Sequence, residues 1–309
     1  MAVLATGDLE LPDNIMTPWL GKVRGGSTLA VLSPQEAQTF GKGKAMIFDS
    51  GEAELVAESG EKASNEVTKT VQTVEPYKFQ KTVRMSEEVL WADEAGQTDA
   101  VNQVLAQIQP ALSRALDYGA IHGINPRSGA VAPAITQKFS SVTNIVTRGA
   151  SDKPYANLDA ADLMVLAEGY VPEGVALDPA LAAAFSSLRA GTTEQKLYPN
   201  FRLTTELGEL DGHRSSVSRT VGAVGVASVA SNILGIVGDF SAFRWGIQKQ
   251  IGLEVIKYGD PDGQGDLKRR NQIAVRAEVV YGWGIADLDA FALIKSAPAG
   301  GGGTEGGDD

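Results

Sequence analysis

The chain has 309 residues, 43% hydrophobic and 21% charged, enough for one large domain or two moderate ones with real cores. It contains no cysteine and only two histidines, His122 and His213, which excludes disulfides, thiolate metal sites and cysteine nucleophiles and makes histidine-based metal sites and catalysis hard to build. A net charge of −11 excludes a general phosphate-contacting surface for nucleic acid, which needs clustered Lys and Arg.

The N-terminus, "MAVLATGDLELPDN", has acidic residues and no basic region before an apolar stretch, so it does not read as a secretory signal, and the protein is expected in the cytosol where it is made. No run of about 18 apolar residues occurs, so no membrane-spanning helix and no membrane partner are expected. Residues 1–43 read as an extended, weakly ordered arm punctuated by "LPDN" and "RGGS". Residues 44–86 read as a long two-stranded ribbon. Tyr77, Phe79, Val83 and Met85 alternate with Lys78, Gln80, Thr82 and Arg84, and 67–74 is rich in Val and Thr. Its tip, "ESGEKASNE", is almost wholly polar, and a ribbon so long and polar cannot bury a core of its own.

"TDAVNQVLAQIQPALSRALDYGAIHG" predicts a long helix, with Val101, Val104, Leu105, Ile108 and Leu112 at helical spacing and Thr98 or Asp99 as N-cap. Pro110 lies inside it, and an interior proline costs about 3 kcal/mol and bends a helix. Residues 130–157 look irregular. "NLDAADLMVLAEG" predicts a helix with Leu158, Leu163 and Leu166 on its apolar face. "GVALDPALAAAFSSLRAG" predicts a short buried strand, an Asp178 cap, Pro179 in the first helical position and a stop at Gly191. "GAVGVASVAS" and "ILGIVGDFSAFRWGI" read as strands, followed by a strand, a turn-rich loop at 260–266 and a final strand pair. The tail 296–309 is glycine-rich and acidic and is expected to be disordered. The irregular mixture of helices and strands points to α+β.

The chain carries no phosphate loop and no nucleophile elbow. "GAVGVASVAS" lacks the third glycine of a dinucleotide fingerprint, and "YGDPDGQGD" matches a calcium loop in composition but not in ligand spacing. Glu87 and Glu88 suit a helix N-terminus. No catalytic residue, metal or cofactor is expected on these grounds.

Several segments, in order, resemble the major capsid proteins of tailed double-stranded DNA phages. "AELVAESGEKASNEVTKTV" followed by "PYKFQKTVRMSEEVL" is similar to that family's extended loop, and "TDAVNQVLAQIQPALSRALDYGAIHG" to its spine helix. "GVALDPALAAAFSSLRAG" is similar to the strand, turn and helix of the axial domain, and "QIAVRAEVVYGWGIADLDAFALIK" to the last peripheral segment. The resemblance implies an arm at 1–43, an extended loop at 44–86, a peripheral domain with spine helix at 87–150 and 256–295, and an axial domain at 151–255. It implies a non-enzymatic subunit that assembles with itself into hexamers and pentamers of an icosahedral head shell. The shell would enclose DNA without sequence-specific binding and be built in the host bacterial cytoplasm, with portal and decoration proteins as further partners. The ribbon begins only about 45 residues after Met1, so a separate scaffolding protein, or none, is expected rather than a fused one.

The resemblance also implies inter-subunit contacts at Trp19, Glu58, Lys62, Glu66, Lys69 and Arg84. Some relatives weld their shells by isopeptide bonds between a lysine of the extended loop and an asparagine, helped by a glutamate. Lys69 (with Lys62 as a second choice), Asn271 and Glu278 stand at the matching positions. The closest alternative is an encapsulin-type nanocompartment shell, and a more distant one is a soluble α+β hydrolase using the Asp260–Asp266 carboxylates.

Overall fold

The computed structural model describes residues 26–49, 55–56, 64, 67–88, 100–149, 151–191 and 194–297. Trp19 and the rest of the arm to residue 25, Glu58, Lys62 and Glu66 in the ribbon tip, Thr98 and Asp99, and the tail from residue 298 lie outside the described residues.

In chain order the first half contains α1 (Thr28–Leu32), β1 (Gly43–Asp49), β2 (Thr68–Ser86), α2 (Ala100–Asp117), β3 (Ile145–Arg148) and α3 (Pro154–Ala167). The second half contains β4 (Gly174–Leu177), α4 (Pro179–Ser187), β5 (Gly208–Leu210), β6 (His213–Val217), β7 (Ile233–Gly238), β8 (Phe243–Ile256), β9 (Gln272–Ile285) and β10 (Phe291–Ser296). Two sheets organise the mixed α+β fold. One is four-stranded and antiparallel, in the order β1-β2-β9-β8. The other is six-stranded, in the order β3-β10-β7-β4-β6-β5, with β3 parallel to β10 and β4 parallel to β6.

β2 joins body and ribbon. From Glu75 to Ser86 it pairs with β9, and from Thr68 to Val74 it pairs with β1. The expected alternation holds over the body half: Tyr77, Phe79, Val83 and Met85 face the core, and Tyr77 lies 4.2 Å from the Trp283 ring. α2 is continuous through Pro110 and buries Ile108, Leu112 and Leu116 on the same core. It passes into a π-helical turn at Tyr118–His122 that ends at Gly123, whose φ of 65° is the left-handed conformation glycine adopts without penalty. Within that turn Gly119 is held close to Trp283, where a Cβ would come within 2.7 Å of the indole.

The six-stranded sheet is covered on both faces, and alternation sorts its side chains. Ala176, Ile236, Phe291 and Leu293 face the core shared with α2 and the four-stranded sheet. Val175, Leu177, Val237, Ala292 and Ile294 face α3 and α4. Phe139 sits where the layers meet, 4.8 Å from Phe291 and 5.2 Å from Phe243.

Several expectations are corrected. Residues 26–33 are not an extended arm: α1 is capped by Ser27 and buries Leu29 and Leu32 in the main core. Residues 130–157 contain β3 and the start of α3. α3 buries Leu158, Ala161 and Val165, while Leu163 and Leu166 are 67% and 51% exposed. Five residues separate Leu158 from Leu163, about 140° around a helix, so the two cannot share a face. α4 stops at Ser187 with extended Leu188 as its cap, and Gly191 lies in a later turn. The segment 222–231 is a series of turns, because Ala223 and Gly225 take left-handed φ values of 51° and 78° that no strand accommodates. β8 belongs with β2 and β9, and β10 belongs with β3 and β7.

Candidate assembly interface

The root of the ribbon is fixed by a glutamine pair. Gln72 Nε2 donates to Ala286 O at 3.1 Å, and Gln72 Oε1 accepts from Gln137 Nε2 at 3.1 Å. Gln137 in turn accepts at its carbonyl from Trp283 Nε1 (3.0 Å) and at Oε1 from Ile285 N (3.3 Å). These bonds tie β2, the loop before β3 and the end of β9 where the ribbon leaves the body. A cleft of about 670 Å³ opens beside them, lined by Gln72, Gln137, Tyr170 and Asp287. The Tyr170 hydroxyl donates to Asp287 at 2.7 Å, and that bond pushes its pKa up to about 12.

At the other end of β2, Arg84 is enclosed by the acidic loop between β8 and β9. Its Nε donates to Asp262 at 3.2 Å, and its terminal nitrogens reach Asp262, Asp260 (3.3 Å), Gly265 O (3.0 Å) and Gln272 Oε1 (3.1 Å). The loop bends around the guanidinium through left-handed Gly259, Gly263 and Gly265, and Asp260 also accepts from Gly265 N at 2.9 Å. The composition that suggested a calcium loop therefore serves a cation of the same chain. Asp266 caps the next turn through Arg269 N at 3.0 Å. The carboxylates of the hydrolase alternative are thus engaged structurally.

The crosslink candidates are spread over the four-stranded sheet. Lys69 is exposed on β2 opposite Phe48. Asn271 takes a left-handed φ of 52° just before β9, and its carbonyl accepts from Glu87 N at 3.0 Å. Glu278 lies in mid-β9 opposite Gln80 and pairs with Lys78 Nζ at 2.5 Å. Seven residues of extended chain put Asn271 and Glu278 about 23 Å apart at about 3.3 Å per residue. In one subunit, Glu278 does not serve Asn271.

A buried node that sequence reasoning missed anchors α1. Asp117, at the end of α2, accepts from Thr28 N (2.9 Å), Thr28 Oγ1 (2.7 Å), Leu29 N (3.3 Å), Ser27 Oγ and Thr220 Oγ1 (2.5 Å). His122, one turn on, donates from Nε2 to Thr220 O at 2.9 Å, and burial lowers its pKa. Only the N-cap serine left a local signal; the partners are 88–103 positions apart. His213 opens β6, with Nε2 3.1 Å from Asp162 on α3 and Nδ1 3.1 Å from Asp211 O.

The family model described as phage capsid protein matches residues 69–296. The chain belongs to the phage capsid protein family. A solved structure from Mycobacterium phage Ogopogo is 39% identical to this capsid protein, covering 96% of it and 100% of the phage chain with a TM-score of 0.79. One from Gordonia phage Cozz is 27% identical over 88% and 87% of the two chains, TM-score 0.75. The capsid of a native GTA particle, 15% identical over 89% and 91% with a TM-score of 0.55, shares the fold. No curated protein matches the chain. This is a bacteriophage major capsid protein that forms the head shell, as the sequence resemblance implied. Met46, Val67 and Val71 of the β1–β2 ribbon and Leu163 and Leu166 of α3 are exposed.

Proposed function

We propose that the chain builds its shell as hexamers and pentamers in which the β1–β2 ribbon of each subunit lies on a neighbour. The observation that carries this is the pairing of β2: past Glu75 it leaves β9 and continues with β1 in a two-stranded ribbon. Such a ribbon has no third strand to stabilise it and gains its burial on association. The N-terminal arm would order in the same way, with Trp19 among its contacts, and Glu58, Lys62, Glu66 and Lys69 would act along the ribbon. Arg84, held within its own subunit at the end of β2 away from the ribbon, would brace the acidic loop instead of meeting a neighbour. Assembly would take place in the host bacterial cytoplasm, with portal and decoration proteins as further partners. The acidic chain would enclose DNA without binding its sequence, since a wall that repels DNA lets it move during filling and ejection. The family match and the 39% identity to a phage structure favour a DNA-filled head over an encapsulin-type shell.

The test is removal of residues 58–66 with closure by a short turn. The subunit should keep its circular dichroism spectrum and melting temperature while shell assembly fails. Unfolding of the isolated subunit would show that the ribbon belongs to a core.

A further inference from the structure

The ribbon has two faces, and its register separates them. Cross-strand partners share a face, so Met46 stands with Val71 and Lys44 with Thr73. Alternation adds Lys69, and Val67 just before β2, to the same side. The intervening positions are engaged by the parent subunit at the root: Gln72 bonds Ala286 O, and Val74 lies over Gly284, where a Cβ would come within 3.1 Å of it. The other face is open. Met46, Val67 and Val71 are 54%, 56% and 44% exposed, and Lys44 and Lys69 are exposed with them. Glu75 at the root of this face is matched by Lys42 at 2.6 Å; beyond it the positions 44, 46, 48, 67, 69, 71 and 73 hold two lysines and no acid.

Resting on the reading that the ribbon is an assembly element, we propose that it docks on a second copy of this chain through the face bearing Lys44, Met46, Val67, Lys69 and Val71, against an apolar patch rimmed by carboxylates. Charge selects the occupant. The chain has 38 acidic and 27 basic residues, so a second copy offers carboxylates to a ribbon face that has only cations left to match. The apolar side chains of Met46, Val67 and Val71, interleaved with the lysines, select protein over DNA, because a phosphate backbone gives them nothing to bury against.

The experiment compares heads recovered by gradient sedimentation from cells expressing the assembly proteins with wild-type or variant subunit. Met46→Asp, Val71→Asp and the double reversal Lys44→Glu/Lys69→Glu should each cut head yield by about tenfold or more, the effect of one desolvated, unpaired charge. Their isolated subunits should melt as wild type does, since these side chains are exposed there. Thr70→Asp, one position out of register with the stripe, should assemble. Failure of Thr70→Asp with normal heads from the stripe variants would overturn the face assignment and leave the ribbon's role intact. Normal heads from the charge reversal alone would overturn the acidic partner. Normal heads from every variant and from the ribbon shortened at 58–66 would overturn the role of the ribbon itself.

Discussion

Arg84 on β2 and Asp262, 178 positions later, form an ion pair that fastens the acidic loop to the end of β2 away from the ribbon. The guanidinium's hydrogen bonds hold the Asp262 carboxyl below the usual carboxylate range. A depressed carboxylate pKa contributes stability above the unfolded value near 3.8 and loses it as pH falls through the lower folded value. Arg84→Met should therefore lower the subunit's melting temperature at neutral pH. Between about pH 4 and pH 2 the wild type should lose an increment that the Asp262→Asn variant lacks. Identical acid profiles for wild type and Asp262→Asn would show that the pair adds nothing.

His213 has the opposite sign. Asp162 is the main group raising its pKa above 6.5, and both ring nitrogens face oxygen acceptors, Asp162 Oδ1 and Asp211 O. The Asp211 carboxylate accepts from the Tyr198 hydroxyl at 3.2 Å, and only the Asp211 backbone carbonyl faces the His213 ring. A raised histidine pKa gives stability that is full below the unfolded value and is lost as pH rises through the folded value. Melting curves should show a decline on the alkaline side of pH 6.5 that flattens in Asp162→Asn. An unchanged slope in that variant would assign the decline to other groups.

Phe139 and Leu163 should differ sharply under mutation. Phe139 is fully buried among Phe240, Phe243 and Phe291, so Phe139→Ala should cost about 3–5 kcal/mol in denaturant unfolding of the subunit. Leu163→Ser, on the exposed side of α3, should stay within about 0.5 kcal/mol of wild type. A large loss from Leu163→Ser would mean that α3 buries the face expected from its sequence.

Covalent welding through Lys69 and Asn271 would require Glu278 to accept the lysine proton. Glu278 is paired with Lys78 and stands far along β9 from its own Asn271, so it could act only from another subunit and after leaving that pair. Mature heads are therefore expected to give a single band at 32.4 kDa on denaturing gels. Ladders that vanish in Lys69→Ala or Asn271→Ala heads would establish the crosslink instead.

The parts legible in the sequence were those with one buried and one wet face, or with a local cap. Tyr77 to Met85 alternated because β2 covers a core on one side only, and Asp178 with Pro179 marked the start of α4 through a bond to Ala180 N. α3 misled because large apolar residues stand on its exposed side (Leu163, Leu166) as well as its buried side (Leu158, Val165), so periodicity could not pick the face that packs. α1 is five residues long, too short to show a period, and its anchor on Asp117 joins residues about ninety positions apart. Arg84 with Asp262 and Lys78 with Glu278 are likewise products of register and loop path, which no local pattern encodes.

The most direct measurement is a cryo-electron microscopy map of mature heads at a resolution that traces the backbone. The expected density runs from β2 of one subunit into a ribbon lying on a second copy, with Lys44, Met46, Lys69 and Val71 at the contact. Density in which the ribbon folds back on its own subunit, leaving no neighbour against it, would contradict the assignment of the ribbon as the element that joins the shell.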